Sequence, residues 1–310
     1  MQGQQGTRHL ITGNLALFVG ISVWATHFPV TEQLLKSWDP YSITVARLLS
    51  ASATLTIAWL LLERNTLRQI IPWFKIALLG CGGITLATLC LVSGVRYAGA
   101  VNAGIVAACG PLIGALLGWL INAERLRPET FFGIALAVGG SALAVVAGGS
   151  AIESGTAGLG EVFILLGSVC FVLYSIGVQR WGKHLSVLAM SALTMATGGL
   201  GCLAVVAALS APGIISTSFS LDTQSLLLLG YMAVGPASLS LFLWHSGVRR
   251  LGVTVATMYS NLSPVVVVIV AIAMGRVPTW MHFAGGGLII AGVMITQLRQ
   301  FQAEHQRELA

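Results

Sequence analysis

Long apolar runs separated by short polar breaks organise this chain. Ten of them fall at about 11–31, 40–62, 73–95, 99–121, 129–147, 158–180, 186–209, 224–245, 253–274 and 278–298. A helix needs roughly 20 apolar residues to cross the hydrocarbon core of a bilayer. Each run is near that length, so the pattern predicts ten transmembrane helices. The first run is too long for a signal-peptide core and has no evident small-residue cleavage site, so it reads as the first span. Two breaks are tight: Arg96-Tyr97-Ala98 before Gly99, and Arg249-Arg250-Leu251 before Gly252. Glycine suits such a helix end. The longest polar connectors run over 148–160 and 210–223.

The runs repeat. Ser93-Gly94-Val95-Arg96 returns as Ser246-Gly247-Val248-Arg249, and Gly99, Pro111, Gly133 and Gly139 return as Gly252, Pro264, Gly286 and Gly292, all at an offset of 153. Earlier in the chain, Gly13, Gly20, Trp24 and His27 face Gly160, Gly167, Phe171 and Tyr174 at an offset of 147. The longer 210–223 connector is a natural place for some of the extra residues. The Gly/Ser-rich link at 148–160 resembles a flexible linker and divides the chain into 1–150 and 156–310. With five helices in each unit, the second must enter the membrane from the opposite side. The predicted fold is therefore an all-α integral membrane protein of ten transmembrane helices, as two inverted five-helix repeats (5+5) about an axis in the membrane plane.

Composition agrees. The chain is 56% hydrophobic and 8% charged, with mean hydropathy +0.87, against roughly 25% charged residues in a soluble domain. The net charge of +6 reads as a topology signal, not as a nucleic-acid footprint. With the N-terminus inside, Arg8, Arg64, Arg68, Lys75, Arg125, Arg127, Arg180, Lys183, Arg249, Arg250, Arg299 and Arg307 face the cytoplasm. Only Lys36, Arg96 and Arg276 face outward. Both termini are thus expected in the cytoplasm.

Catalytic chemistry finds little support. No His-Glu-x-x-His, Gly-x-Ser-x-Gly or Walker-type loop occurs, and all ten acids lie in connectors, tails or helix ends. The five cysteines sit inside apolar runs without metal-ligand spacing. No catalytic residue, metal or cofactor is expected, nor is an enzyme. Arg47 is the one charge well inside a run. It either contacts an anionic group of a solute or bonds helix-end carbonyls near the outer surface, and its reach to that surface favours the second. Pro111 and Pro264, near the middle of the fourth and ninth helices, are candidate hinges. Gly110, Gly114 and Gly118 mark a face for close helix packing. Trp24, His27, Thr85, Thr88, Asn102, Phe171, Tyr174, Ser238, Trp244, Tyr259 and Asn261 together describe a largely apolar, aromatic cavity with a few hydrogen-bonding groups.

Trp24-Ala25-Thr26-His27-Phe28-Pro29, Pro40 with Arg47, and the run from Val95 through Pro111 to Glu124-Arg125-Leu126 resemble the drug/metabolite transporter superfamily of the two-EamA-domain type. The branch it is most similar to is the bacterial aromatic amino-acid exporters. His27 and Ala25 replace the family's usual Asn and Gly, and Arg276-Val277-Pro278 replaces a common Glu-Arg pair. The resemblance implies a ten-helix basket in a bacterial inner membrane, with a cavity walled by helices 1, 3, 4, 6, 8 and 9. It implies export of amino acids, or of similar small amphipathic metabolites, by alternating access. Drugs, sugars and other metabolites are the alternative solutes; a non-transporting membrane enzyme or scaffold is the alternative class. The expected partners are a small-molecule solute and the lipid bilayer, without nucleic acid. Coupling to protons and a monomeric or homodimeric state stay open.

Overall fold

A computed structural model describes residues 2–122, 158–275 and 277–309, with residues 132, 133, 135, 136, 138–140 and 143. The predicted fifth helix falls mostly outside these residues, as do Arg125, Arg127 and Arg276. Among the described residues the structure is helical, without a strand. The helices are α1 Gln2–Ala25, α2 His27–Leu34, α3 Pro40–Leu62, α4 Trp73–Ala77, α5 Leu86–Ala107 and α6 Gly110–Asn122, then α7 Leu159–Trp181, α8 Val187–Ser210, α9 Thr223–Met232, α10 Ser240–Met258, α11 Ser263–Ala273 and α12 Trp280–Leu309.

Seven stretches among the described residues are long and apolar enough to cross a membrane: Leu10–Leu34, Pro40–Leu62, Trp73–Ala107, Leu159–Trp181, Val187–Ser210, Thr223–Val253 and Val255–Ala273. Large apolar side chains such as Leu61, Phe74, Leu200 and Leu227 are exposed, as lipid-facing residues would be. The helical pieces do not coincide one to one with the ten runs. The third and fourth runs join through a kink at Gly99 (φ 78°, ψ 165°), and the eighth and ninth through one at Gly252 (φ 81°, ψ 166°). Only glycine adopts that backbone region freely. The two kinks therefore place the same residue, in the same conformation, 153 positions apart.

The prolines differ from the mid-helix kinks expected. The helix breaks at Ala108–Cys109 before Pro111, and a 3-10 turn at Tyr259–Leu262 precedes Pro264. Each proline lies in the first turn of the helix that restarts, α6 or α11. There its missing N–H removes no bond, because the first turn of a helix has no intrahelical acceptor for it. Pro236 lies within a wide-turn π segment, Ala233–Leu239, and a second π segment runs over Leu78–Thr85.

Glycines set the distance between helices. A Cβ at Gly94 would lie 2.4 Å from Ile164 Cδ1, and one at Gly247 would lie 2.3 Å from Leu17 Cγ. Ile164 is Leu17 plus 147, and Gly247 is Gly94 plus 153, so one packing contact recurs at the two sequence offsets. Gly160 against Ala98 and Gly13 against Leu251 recur in the same way. In each case a glycine of one half receives a side chain of the other. The Gly110 and Gly114 face of α6 lies on Ser260 and Thr257, an intramolecular contact.

Polar connectors are tied down by side chains. Asp39 caps α3 by accepting from the N–H groups of Tyr41 (2.8 Å) and Ser42 (3.0 Å), a motif worth about 1 kcal/mol. Its other oxygen accepts from Ser218 N–H at 2.6 Å, and the Trp38 indole donates to Ser220 O at 2.8 Å. The 210–223 connector is thereby fastened to the start of α3.

Candidate functional site

A central cavity is walled by α1, α3, α5, α7, α8, α10, the two π segments and the breaks before Pro111 and Pro264. Trp24, Phe171 and Trp244 supply aromatic wall, and Ile84, Leu91, Met195 and Leu241 supply aliphatic wall. Thr88, Ser168, Ser240, Thr257 and Ser260 supply hydroxyls, and Arg47 supplies the one charge among the described wall residues. Phe171 and Trp244 stand with ring centroids 5.3 Å apart. The Trp244 indole is fixed by donating to Ser175 Oγ at 3.1 Å. The polar wall has its local cause: hydroxyl residues in apolar helices commonly return their proton to the carbonyl one turn back. Ser168 does so to Ile164 O at 2.8 Å, and Ser240 to Pro236 O.

Of the residues singled out from sequence, Trp24, Thr88, Phe171, Trp244 and Arg47 line this cavity. Seven others lie outside its wall. His27 is fully buried, with Nδ1–H donating to Trp24 O at 2.8 Å and Nε2 without a partner. Thr85 donates to Gly198 O at 2.7 Å, holding two helices together. Ser238 donates to Ala233 O at 2.6 Å and to Ala51 O at 3.2 Å. Tyr259 donates to Asn14 Oδ1 at 2.5 Å on an exposed face. Asn102 is buried and Asn261 half-buried, each with an unpartnered Oδ1. Tyr174 belongs to a buried network. Its hydroxyl meets His245 Nε2 at 2.8 Å and Thr194 Oγ1 at 2.9 Å, while His245 Nδ1 meets Ser191 Oγ at 2.7 Å. Ser191 also reaches Val187 O and Thr194 reaches Met190 O, so the four side chains form one buried chain whose donor and acceptor roles follow the His245 tautomer. Pro111 and Pro264 lie beside the cavity in chain position, next to the wall residue Gly110 and four residues from Ser260.

Wall residues missed from sequence include Leu48, Ile84, Met195, Ser240, Thr257 and Ser260. A signal for them existed. The offset of 147 pairs Trp24 with Phe171, Ile21 with Ser168 and Leu48 with Met195. The offset of 153 pairs Ile84 with Ala237, Ala87 with Ser240, Leu91 with Trp244 and Ala107 with Ser260. All fourteen residues are in the wall.

The cavity and the apolar helices around it define a multi-span membrane protein with an internal chamber. A family model of the EamA-like transporter family matches residues 11–146 and 158–298, and the chain belongs to that family. Over 92% of its length it is 28% identical to a probable terminal-alkyne amino-acid exporter of Streptantibioticus cattleyicolor, 93% of which is covered. It is 27% identical to the uncharacterized transporter YetK of Bacillus subtilis, over 72% of this chain and 67% of that one. It is 25% identical to the uncharacterized inner membrane transporter YedA of Escherichia coli, over 92% and 90%. A solved crystal structure shares the fold with a TM-score of 0.67 at 21% identity, covering 96% of this chain and 99% of the other.

Proposed function

We propose that this chain exports amino acids, neutral or aromatic, or similar small amphipathic metabolites across a bacterial inner membrane by alternating access through the central cavity. The observation that carries this reading is the wall itself. Aromatic, aliphatic and hydroxyl groups from both halves of the chain enclose one chamber, the composition that suits a solute with an apolar body and a few polar groups. The probable amino-acid exporter among its relatives supports the same solute class, as does the resemblance to the aromatic amino-acid exporter branch.

In this reading the units 1–150 and 156–310 are inverted copies, each of five helices. The doubled kinks at Gly99 and Gly252 and the doubled glycine contacts support it. Both termini lie in the cytoplasm, because the basic residues crowd that side. Each half rocks on its broken helix, with Pro111 and Pro264 as the hinges. Counterflow in proteoliposomes against a panel of amino acids, with and without a pH gradient, tests the solute and the coupling together. Accumulation of one or more amino acids supports export of this class. Exchange of sugars or cationic drugs with no amino acid among them would replace the solute class.

A further inference from the structure

A buried cation with two donors unpartnered among the described residues stands in the cavity wall. Arg47 is 5% exposed, and its Nε and Nη1 have no hydrogen-bond partner. None of the described wall residues is acidic. The helix-end carbonyls that the sequence offered as partners do not take up these donors. An unpaired charge in apolar surroundings is costly unless something neutralises it.

The internal repeat sharpens the point. The offset of 147 that carries Trp24 to Phe171 and Leu48 to Met195 carries Arg47 to Thr194 and His27 to Tyr174. Thr194 and Tyr174 are bonded to each other, and further to Met190 O and His245. That pair is neutral and closed upon itself. The Arg47 position carries a charge and spare donors, and the unpartnered His27 Nε2 nearby offers a lone pair. One of two equivalent places is thus finished internally and the other is not.

Resting on the reading of this cavity as the solute site, we infer that Arg47 receives a carboxylate of the solute. The transported class is then small organic carboxylates with an apolar or aromatic body. The guanidinium presents a planar fork of donors matched to two carboxylate oxygens. The rings of Trp24, Phe171 and Trp244 take the body. Two sources carry this chemistry: a zwitterionic amino acid, whose ammonium can sit on an aromatic face, and a simple monocarboxylate.

The test is titration of the full-length purified protein, read by tryptophan fluorescence, with L-phenylalanine, 3-phenylpropionate and L-phenylalaninamide. Both acids are expected to bind, and the amide about 10- to 100-fold more weakly, the factor of charge-assisted hydrogen bonds. Arg47→Gln is expected to bind acids and amide alike, and Arg47→Lys to keep part of the preference. Phenylalanine binding above phenylpropionate assigns the zwitterion; the reverse assigns the simple acid. Wild-type protein that binds the amide as tightly as the acids overturns the inference without any variant. So does an acid preference that survives in Arg47→Gln, or a lack of saturable binding by either acid. Ser168→Phe, which fills the chamber, separates the two levels. Acid binding that persists there removes the cavity as the solute site, whereas binding lost there without acid preference removes only the role of Arg47.

Discussion

The doubled glycine contact gives a quantitative handle on how the two halves fit. Gly94→Ala adds a methyl whose carbon would sit 2.4 Å from Ile164 Cδ1 and 3.0 Å from Gly160 O. Overpacking of that kind costs about 1–3 kcal/mol, offset by the gain of about 1 kcal/mol from replacing glycine in a helix. The net cost is then about 0–2 kcal/mol. Ile164 is 0% exposed, so Ile164→Ala alone costs about 2–5 kcal/mol through the space it leaves. In the double variant the new methyl enters that space. Its cost should fall below the sum of the singles by about 1–3 kcal/mol, the size of coupling usual between touching residues. Gly247 and Leu17 should give the same sign, because Leu17 Cγ and Cδ2 would lie 2.3 and 2.4 Å from the added carbon. Thermal melting of the detergent-purified variants, followed by fluorescence, supplies the two cycles. Additive costs in both would show that these glycines do not receive the opposing side chains. Coupling in one cycle alone would contradict a repeated interface.

Further outcomes follow from the breaks and caps. Gly99→Ala and Gly252→Ala should each lower stability by about 1–3 kcal/mol, although the added carbon would clash with nothing, the nearest atoms lying 3.6 and 3.7 Å away; equal shifts in melting temperature would check the pair. Pro111→Ala and Pro264→Ala should slow counterflow several-fold without reducing membrane insertion, since alanine lets the broken helix close; wild-type rates in both would remove the hinges. Asp222 caps α9, and hydrogen bonds from Ser225 and Ser220 hold its carboxyl down at about 2, against an ordinary 3.8. A depressed acid stabilises the fold above its unfolded pKa and loses that contribution as pH falls through the folded one. Melting curves of Asp222→Asn should therefore lose part of the acid sensitivity seen in the wild type between about pH 4 and 2.

The apolar runs, the repeat and the small-residue contacts were legible in sequence because each rests on residue type at a spacing. Gly94 and Gly247 could be found as a repeat before their packing reason was visible. The breaks were less legible. Pro111 looks the same in a sequence whether it kinks a continuous helix or restarts one, and nothing in 78–85 announces a π segment without a proline. The polar residues were harder still. Thr85 and Thr88 are one turn apart and chemically identical, yet one bonds a neighbouring helix and the other lines the cavity. Which way a hydroxyl turns depends on the carbonyls that tertiary packing leaves within reach, and periodicity does not record that. Arg47 shows the same limit: its position was evident, and its unpartnered Nε and Nη1 among the described residues were not.

Alternating access is tested most directly by labelling the chamber from each side of the membrane. The native Cys81, Cys90, Cys109, Cys170 and Cys202 would be replaced by alanine and Ser168→Cys introduced in the cavity wall. A membrane-impermeant maleimide should then reach the new thiol from the cytoplasmic side and, in separate vesicles of opposite orientation, from the outer side. Solute should change the ratio of the two rates. Labelling from one side only, with and without solute, would contradict a chamber that opens alternately to both.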